Sequence, residues 1–169
     1  MKTFFKLFTF SACLLVITSC KVQYSFSPPT NIEADTFQVN YFQNNAPLIE
    51  PGLDRDFTLA LQDLILNQSR LDLVRSNGDI VFEGEIVDYR ISPTTATAQN
   101  TAAQNRLTIA INVRFHDRND PEADFERRFS FFYDYAGSAQ LIGSLRETAH
   151  EEILDRITQD IFNEALAKW

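Results

Sequence analysis

Cysteine and histidine are almost missing from this chain, with two of each in 169 residues. Cys13 lies inside an apolar leader and Cys20 just beyond it, so no pair remains downstream for a disulfide, and a zinc site would lack its ligands. Glycine is scarce as well, five in all, and no glycine-rich phosphate loop occurs. Apolar runs stay short of the roughly 20 residues that span a bilayer. Positive charge is also in deficit: the formal charge of −8 makes the chain a poor generic binder of nucleic acid or anionic lipid. Stability must therefore come from packing, and fifteen phenylalanines are available for it.

What is present begins at the N-terminus. Met1 to Lys6 carries two lysines and no acid, and Leu7 to Thr18 is nearly all apolar. That is the charged and apolar pair of regions found in a secretory signal. Ile17-Thr18-Ser19-Cys20 then places an aliphatic residue three before a cysteine and two small residues beside it, the pattern of a bacterial lipobox. Residues 1–19 read as a lipoprotein signal peptide and Cys20 as the lipidated new N-terminus. Loss of Lys2 and Lys6 takes the formal charge from −8 to −10. A single acyl chain holds a protein only marginally on a membrane, whereas two or three hold it durably. Residues 20–31, ending in Pro28-Pro29-Thr30-Asn31, read as an extended tether. Residues 32–169 then form one domain of ordinary size.

Thr36 to Phe42 alternates Phe37, Val39 and Tyr41 with Gln38 and Asn40, which predicts a half-buried strand. Asp54 is placed to cap a helix whose apolar positions are Phe57, Ala60, Leu61, Leu64 and Ile65. Ile80 to Ile91 predicts a long strand, with Gly84 marking a bulge or a close backbone approach. Ser92 to Asn105 holds neither charge nor large apolar side chain and predicts a mobile hairpin loop. Leu107, Ile109, Ile111, Val113 and Phe115 alternate without a miss, and Phe125 to Tyr135 supplies a partner strand. Thr148 to Glu151 has capping-box spacing, and Ala149, Ile153, Ile157, Ile161, Ala165 and Trp169 recur every fourth residue as a closing helix of about twenty residues. The expected order is strand, helix, three strands, helix. Two helices on one face of a four-stranded sheet make an α+β two-layer sandwich.

Catalytic chemistry finds few footholds. "HEEIL" at His150 opens like a zinc-protease helix, but Leu154 stands where the second histidine is required. His116-Asp117 has no nucleophile in a recognisable setting. Glu83 and Glu85 share a strand face and would pair as acid and base in a glycan hydrolase. No aromatic sugar platform is evident in the sequence beside them, so they read as outward charges. Arg114, Arg118, Arg127 and Arg128 surround one turn, yet Asp117, Asp120, Glu122, Asp124 and Glu126 share it and neutralise them. The chain therefore reads as no enzyme, without cofactor or metal.

Taken in order, the lipobox, "YSFSP", "TFQVNYF", "GDIVFEGEIVDYRISP", "NRLTIAINVRF", "FERRFSFFYDY" and "DIFNEALAKW" resemble LptE, the lipopolysaccharide-assembly lipoprotein family, in a form like that of Bacteroidota. The resemblance covers essentially all of the chain after the leader and implies two helices on a four-stranded sheet. It also implies a protein anchored to the outer membrane, facing the periplasm. There it would plug and help assemble a large LptD-type β-barrel and support lipopolysaccharide delivery to the outer leaflet. Basic residues at two loop ends are linked to lipopolysaccharide in enterobacterial members; here Arg146 and Arg106 are the nearest matches. The polar loop before Arg106 holds no basic residue of its own. The alternative reading is a periplasm-facing lipoprotein that binds envelope glycan or serves another envelope complex.

Overall fold

The computed structural model describes residues 33–96 and 102–167. Strands β1 (Thr36–Val39) and β2 (Gln43–Asn44) precede helix α1 (Leu53–Gln68) and strand β3 (Asp72–Leu73). Then come β4 (Ile80–Ala96), β5 (Ala102–Asp117), a 3-10 turn (Pro121–Ala123), β6 (Phe125–Ala136) and helix α2 (Gly143–Leu166). The sheet runs β3-β1-β4-β5-β6, with β2 also on β4. β1 lies parallel to β3 and β4, and β4, β5 and β6 form an antiparallel meander. A parallel pair needs a crossover, and α1 is the crossover from β1 to β4.

The alternating strand residues turn one face of this mixed sheet toward both helices. Leu107, Ile109, Ile111, Val113 and Phe115 of β5 are all fully buried. They share one apolar core with Phe57, Leu61 and Ile65 of α1 and Ala149, Ile153, Ile157, Ile161 and Ala165 of α2. Six phenylalanine rings or more line it, Phe42 edge-on to Phe57 at 4.9 Å and Phe82 against Phe115 at 5.1 Å among them. Each buried ring stabilises by about 1.5–3 kcal/mol over its exposed form.

The α+β character with two helices stands, but the sheet has six strands where four were expected. The two added strands are two residues each, too short for any side-chain period. β3 forms because Asp72 N–H donates to the Asp35 carbonyl and Val74 N–H to that of Phe37, both at 2.9 Å. β2 resumes the line of β1 after a bulge. Val39 pairs with Phe82 and Gln43 with Glu85, so Asn40, Tyr41 and Phe42 oppose only Glu83 and Gly84. The extra residue reverses the side-chain parity: Tyr41, expected with Phe37 and Val39 on the core side, is 57% exposed, and Phe42 is fully buried instead.

Of the segment expected as a loop, the described residues 92–96 and 102–105 are strand, since β4 continues to Ala96 and β5 starts at Ala102; residues 97–101 lie outside the described residues. Backbone pairing needs no apolar side chain, so a ladder can run where hydropathy gives no signal. Helix ends also move. Gly52, with φ 87°, precedes α1 and no side chain caps it; Asp54 sits in the first turn instead. α2 begins at Gly143, five residues before the capping-box threonine. Leu145 extends its apolar stripe upstream at the spacing of Ala149 and Ile153, and it packs on the core.

Candidate functional site

Cys20, the signal peptide and the tether lie outside the described residues. The two arginines singled out from the sequence are both described, and they are not brought together. Arg106 is on the sheet face opposite the helices, directly across from Asp134 of β6. Its Nε donates to Asp134 Oδ1 at 2.7 Å and its Nη2 to Oδ2 at 2.8 Å, while the guanidinium lies 3.5 Å over the Phe132 ring. This fork holds the Asp134 carboxyl below the usual carboxylate range. Phe132, the odd aromatic of the β6 outer face, thereby serves as the platform for Arg106.

Arg146 stands in the first turn of α2, on the helix side. Its Nη1 meets Glu50 Oε1 at 3.1 Å. One turn on, His150 Nε2 lies 3.0 Å from Tyr89 Oη, with the rings edge-on at 5.7 Å. Burial pushes the Tyr89 hydroxyl up to about 12, helped by Glu50 and opposed by Arg146. Burial likewise pushes the His150 imidazole below its ordinary value. The contact between these two rings ties α2 to β4.

The carboxylates considered for acid-base work are each engaged. Glu83 Oε1 accepts from Arg114 Nε at 2.9 Å and its Oε2 from Asn40 Nδ2 at 3.2 Å. The Arg114 bond foremost, then that from Asn40, holds Glu83 below the ordinary glutamate range despite some burial. A carboxylate so held is a poor proton donor near neutral pH. Glu85 accepts from Asn45 Nδ2 at 2.6 Å.

His116-Asp117 braces the β5–β6 turn. His116 Nδ1 lies 3.0 Å from Asp124 Oδ2, Asp124 Oδ1 accepts the Asp117 N–H at 2.8 Å, and Asp117 Oδ1 accepts the N–H groups of Asn119 and Asp120. The four arginines around that turn disperse to separate partners: Arg114 to Glu83, Arg118 to the Asn77 carbonyl, Arg127 to Glu164 of α2 and Arg128 to Asp88. Among the described residues no group of three His, Cys, Asp or Glu side chains could hold a metal ion, and no helix is long and apolar enough to cross a membrane.

One concave feature escaped sequence reading. An open polar pocket of about 280 Å³ lies where the bulge meets β4 and β5, and the outward Tyr41 is part of its wall. Gly84 was the only sequence signal of it, because an inserted residue leaves no mark on composition.

Comparison with known proteins gives a consistent picture. The sequence matches the family described as LptE, lipopolysaccharide-assembly, over residues 34–165. No curated protein matches the chain. Among solved structures, the fold is similar to an uncharacterized lipoprotein B from Nitrosomonas europaea (13% identity, 85% of this chain and 90% of that one, TM-score 0.55). It is also similar to a protein from Xanthomonas campestris (10% identity, 83% and 90%, TM-score 0.56). A hypothetical protein from Chlamydia trachomatis is a third (11% identity, 80% and 99%, TM-score 0.54). At these identities the likeness is one of fold.

Proposed function

The chain belongs to the LptE family of lipopolysaccharide-assembly proteins, and on that premise we propose that it is a non-enzymatic lipoprotein of the outer membrane that plugs and helps assemble an LptD-type β-barrel and supports lipopolysaccharide delivery to the outer leaflet. The observation that carries this reading is the family match over residues 34–165. The sheet face bare of helices supports it physically. Arg106–Asp134, Arg114–Glu83 and Arg128–Asp88 cover that face with paired charge, which suits the polar interior of a barrel and not the lipid around it.

In this reading residues 1–19 are removed and Cys20 carries the acyl chains that hold residues 32–169 on the periplasmic side. Arg106 and Arg146 are the candidate contacts for the anionic part of lipopolysaccharide. Each would have to leave its carboxylate, Asp134 or Glu50, to reach it.

The decisive experiment is native extraction in detergent of the full chain carrying a C-terminal tag. One large β-barrel at equal stoichiometry is the expected result. Recovery of the protein alone, with intact lipopolysaccharide display after its depletion, would overturn the reading. Lipidation is checked separately: intact-mass analysis should show the acyl addition, and Cys20→Ser should abolish it.

A further inference from the structure

Asn40, Asn45, Glu83, Glu85 and Arg114 line the pocket beside Tyr41, and a chain of hydrogen bonds that starts outside it at Gln38 fixes several of these planar groups. Gln38 Nε2 donates to Asn40 Oδ1 at 2.6 Å, Asn40 Nδ2 to Glu83, and Arg114 Nε to the other oxygen of Glu83. On the far side of Gly84, Glu85 is held by Asn45. Amide, carboxylate and guanidinium planes are thus set before any ligand arrives, which spares the ordering that recognition otherwise requires. Spare hydrogen-bonding capacity remains at the Arg114 Nη groups, the Gln43 amide and Glu85 Oε1, none of which has a protein hydrogen bond among the described residues.

Tyr41, 57% exposed and turned outward by the β-bulge, forms part of the pocket wall beside these groups. The bulge takes the Phe42 N–H off the ladder and gives it to Thr58 Oγ1 at 3.2 Å. It needs Gly84 on β4, because a Cβ there would meet the Phe42 ring at 2.7 Å. Core packing is satisfied by Phe42 alone; the exposed ring of Tyr41 packs nothing that the core requires.

We infer that this pocket binds one or two rings of a neutral saccharide. A pyranose offers what the site lacks: a C–H face to lie on an aromatic ring, and a rim of vicinal hydroxyls that donate and accept in pairs. The volume of about 280 Å³ is at the small end of ligand pockets, which suits a ring or two and excludes an extended acyl chain. Charge selects further. Glu83 is offset by Arg114 but Glu85 has only an amide partner, so an anionic sugar or phosphate would be repelled. The site lies mid-sheet, on a different set of residues from Arg106 and Arg146, and shares Glu83 and Arg114 with the face that the proposed function turns toward the barrel interior, so it is tested on the chain by itself.

The test is saturation-transfer NMR on the full chain in a zwitterionic detergent free of sugar, with maltotriose, chitotriose and galactotriose as probes. Transfer to at least one probe is expected, with apparent affinity falling by about tenfold or more in Tyr41→Ala. No transfer to any of the three, or equal transfer to Tyr41→Ala with an unchanged thermal melt, would overturn the proposal. Should Tyr41→Ala alter the fold, Glu85→Gln decides in the same way: weakened transfer supports the site and unchanged transfer removes it.

Discussion

A methyl group at residue 84 would sit 2.0 Å from the Asn112 carbonyl oxygen and 2.7 Å from the Phe42 ring. Neither neighbour is the free end of a flexible side chain, so β4 or β5 would have to move. Gly84→Ala should therefore destabilise by about 3 kcal/mol, at the upper end of overpacking, read as a lowered urea midpoint with unchanged slope. His150 gives a second residue-level expectation. Burial holds its folded pKa below the ordinary 6.5, with Glu50 and Asp56 opposing and Arg146 reinforcing. As pH falls through about 6.5 the unfolded chain takes up the proton first, so stability is greatest above that value and declines until the folded pKa is passed. The urea midpoint should drop between about pH 7.5 and about 5.5, and the drop should shrink in His150→Gln.

At the scale of elements, the bulge between β1 and β2 decides which aromatic is inside. Phe42 is fully buried against Phe57, and Phe42→Ala should cost about 3–5 kcal/mol. Tyr41→Ala should leave the urea midpoint nearly unchanged; the opposite ranking would mean that β1 runs on without a bulge. Strand alternation made Tyr41 the core residue because a period of two carries no record of an inserted residue. The long elements were legible for the converse reason. In β5 and α2 one face is buried along its whole length, so burial imprints a period that hydropathy displays. β2 and β3 are too brief to hold a period, and the ends of β4 and β5 pair through backbone alone. The start of α2 was missed because a local capping signal at Thr148 competed with Leu145, whose burial depends on the tertiary core. The candidate arginines were legible as residues and not as a site, because their carboxylate partners lie 28 and 96 positions away in sequence.

Across the whole molecule, the cations and anions are arranged to cancel locally. Between Lys21 and Lys168 every basic side chain other than histidine is an arginine. Arg55, Arg90, Arg106, Arg114, Arg127, Arg128, Arg146 and Arg156 all lie within 4.0 Å of a carboxylate. Arginine suits this use, since its planar fork matches a carboxylate and its charge does not titrate away. An acidic protein with paired arginines should meet anionic lipid weakly, because the local pairing of its arginines adds to the overall deficit of positive charge. Freeing Arg106 by Asp134→Asn and Arg146 by Glu50→Gln in one variant should raise co-sedimentation with lipopolysaccharide aggregates by about tenfold at low salt. Salt should erase most of that gain, because the Debye length shortens to about 8 Å at physiological ionic strength. Arg106→Gln with Arg146→Gln should change the same measurement much less, as it removes charges that are already neutralised. If the second variant loses more than the first gains, the two arginines already contact lipopolysaccharide in the native protein and their pairing with Asp134 and Glu50 is not what limits binding.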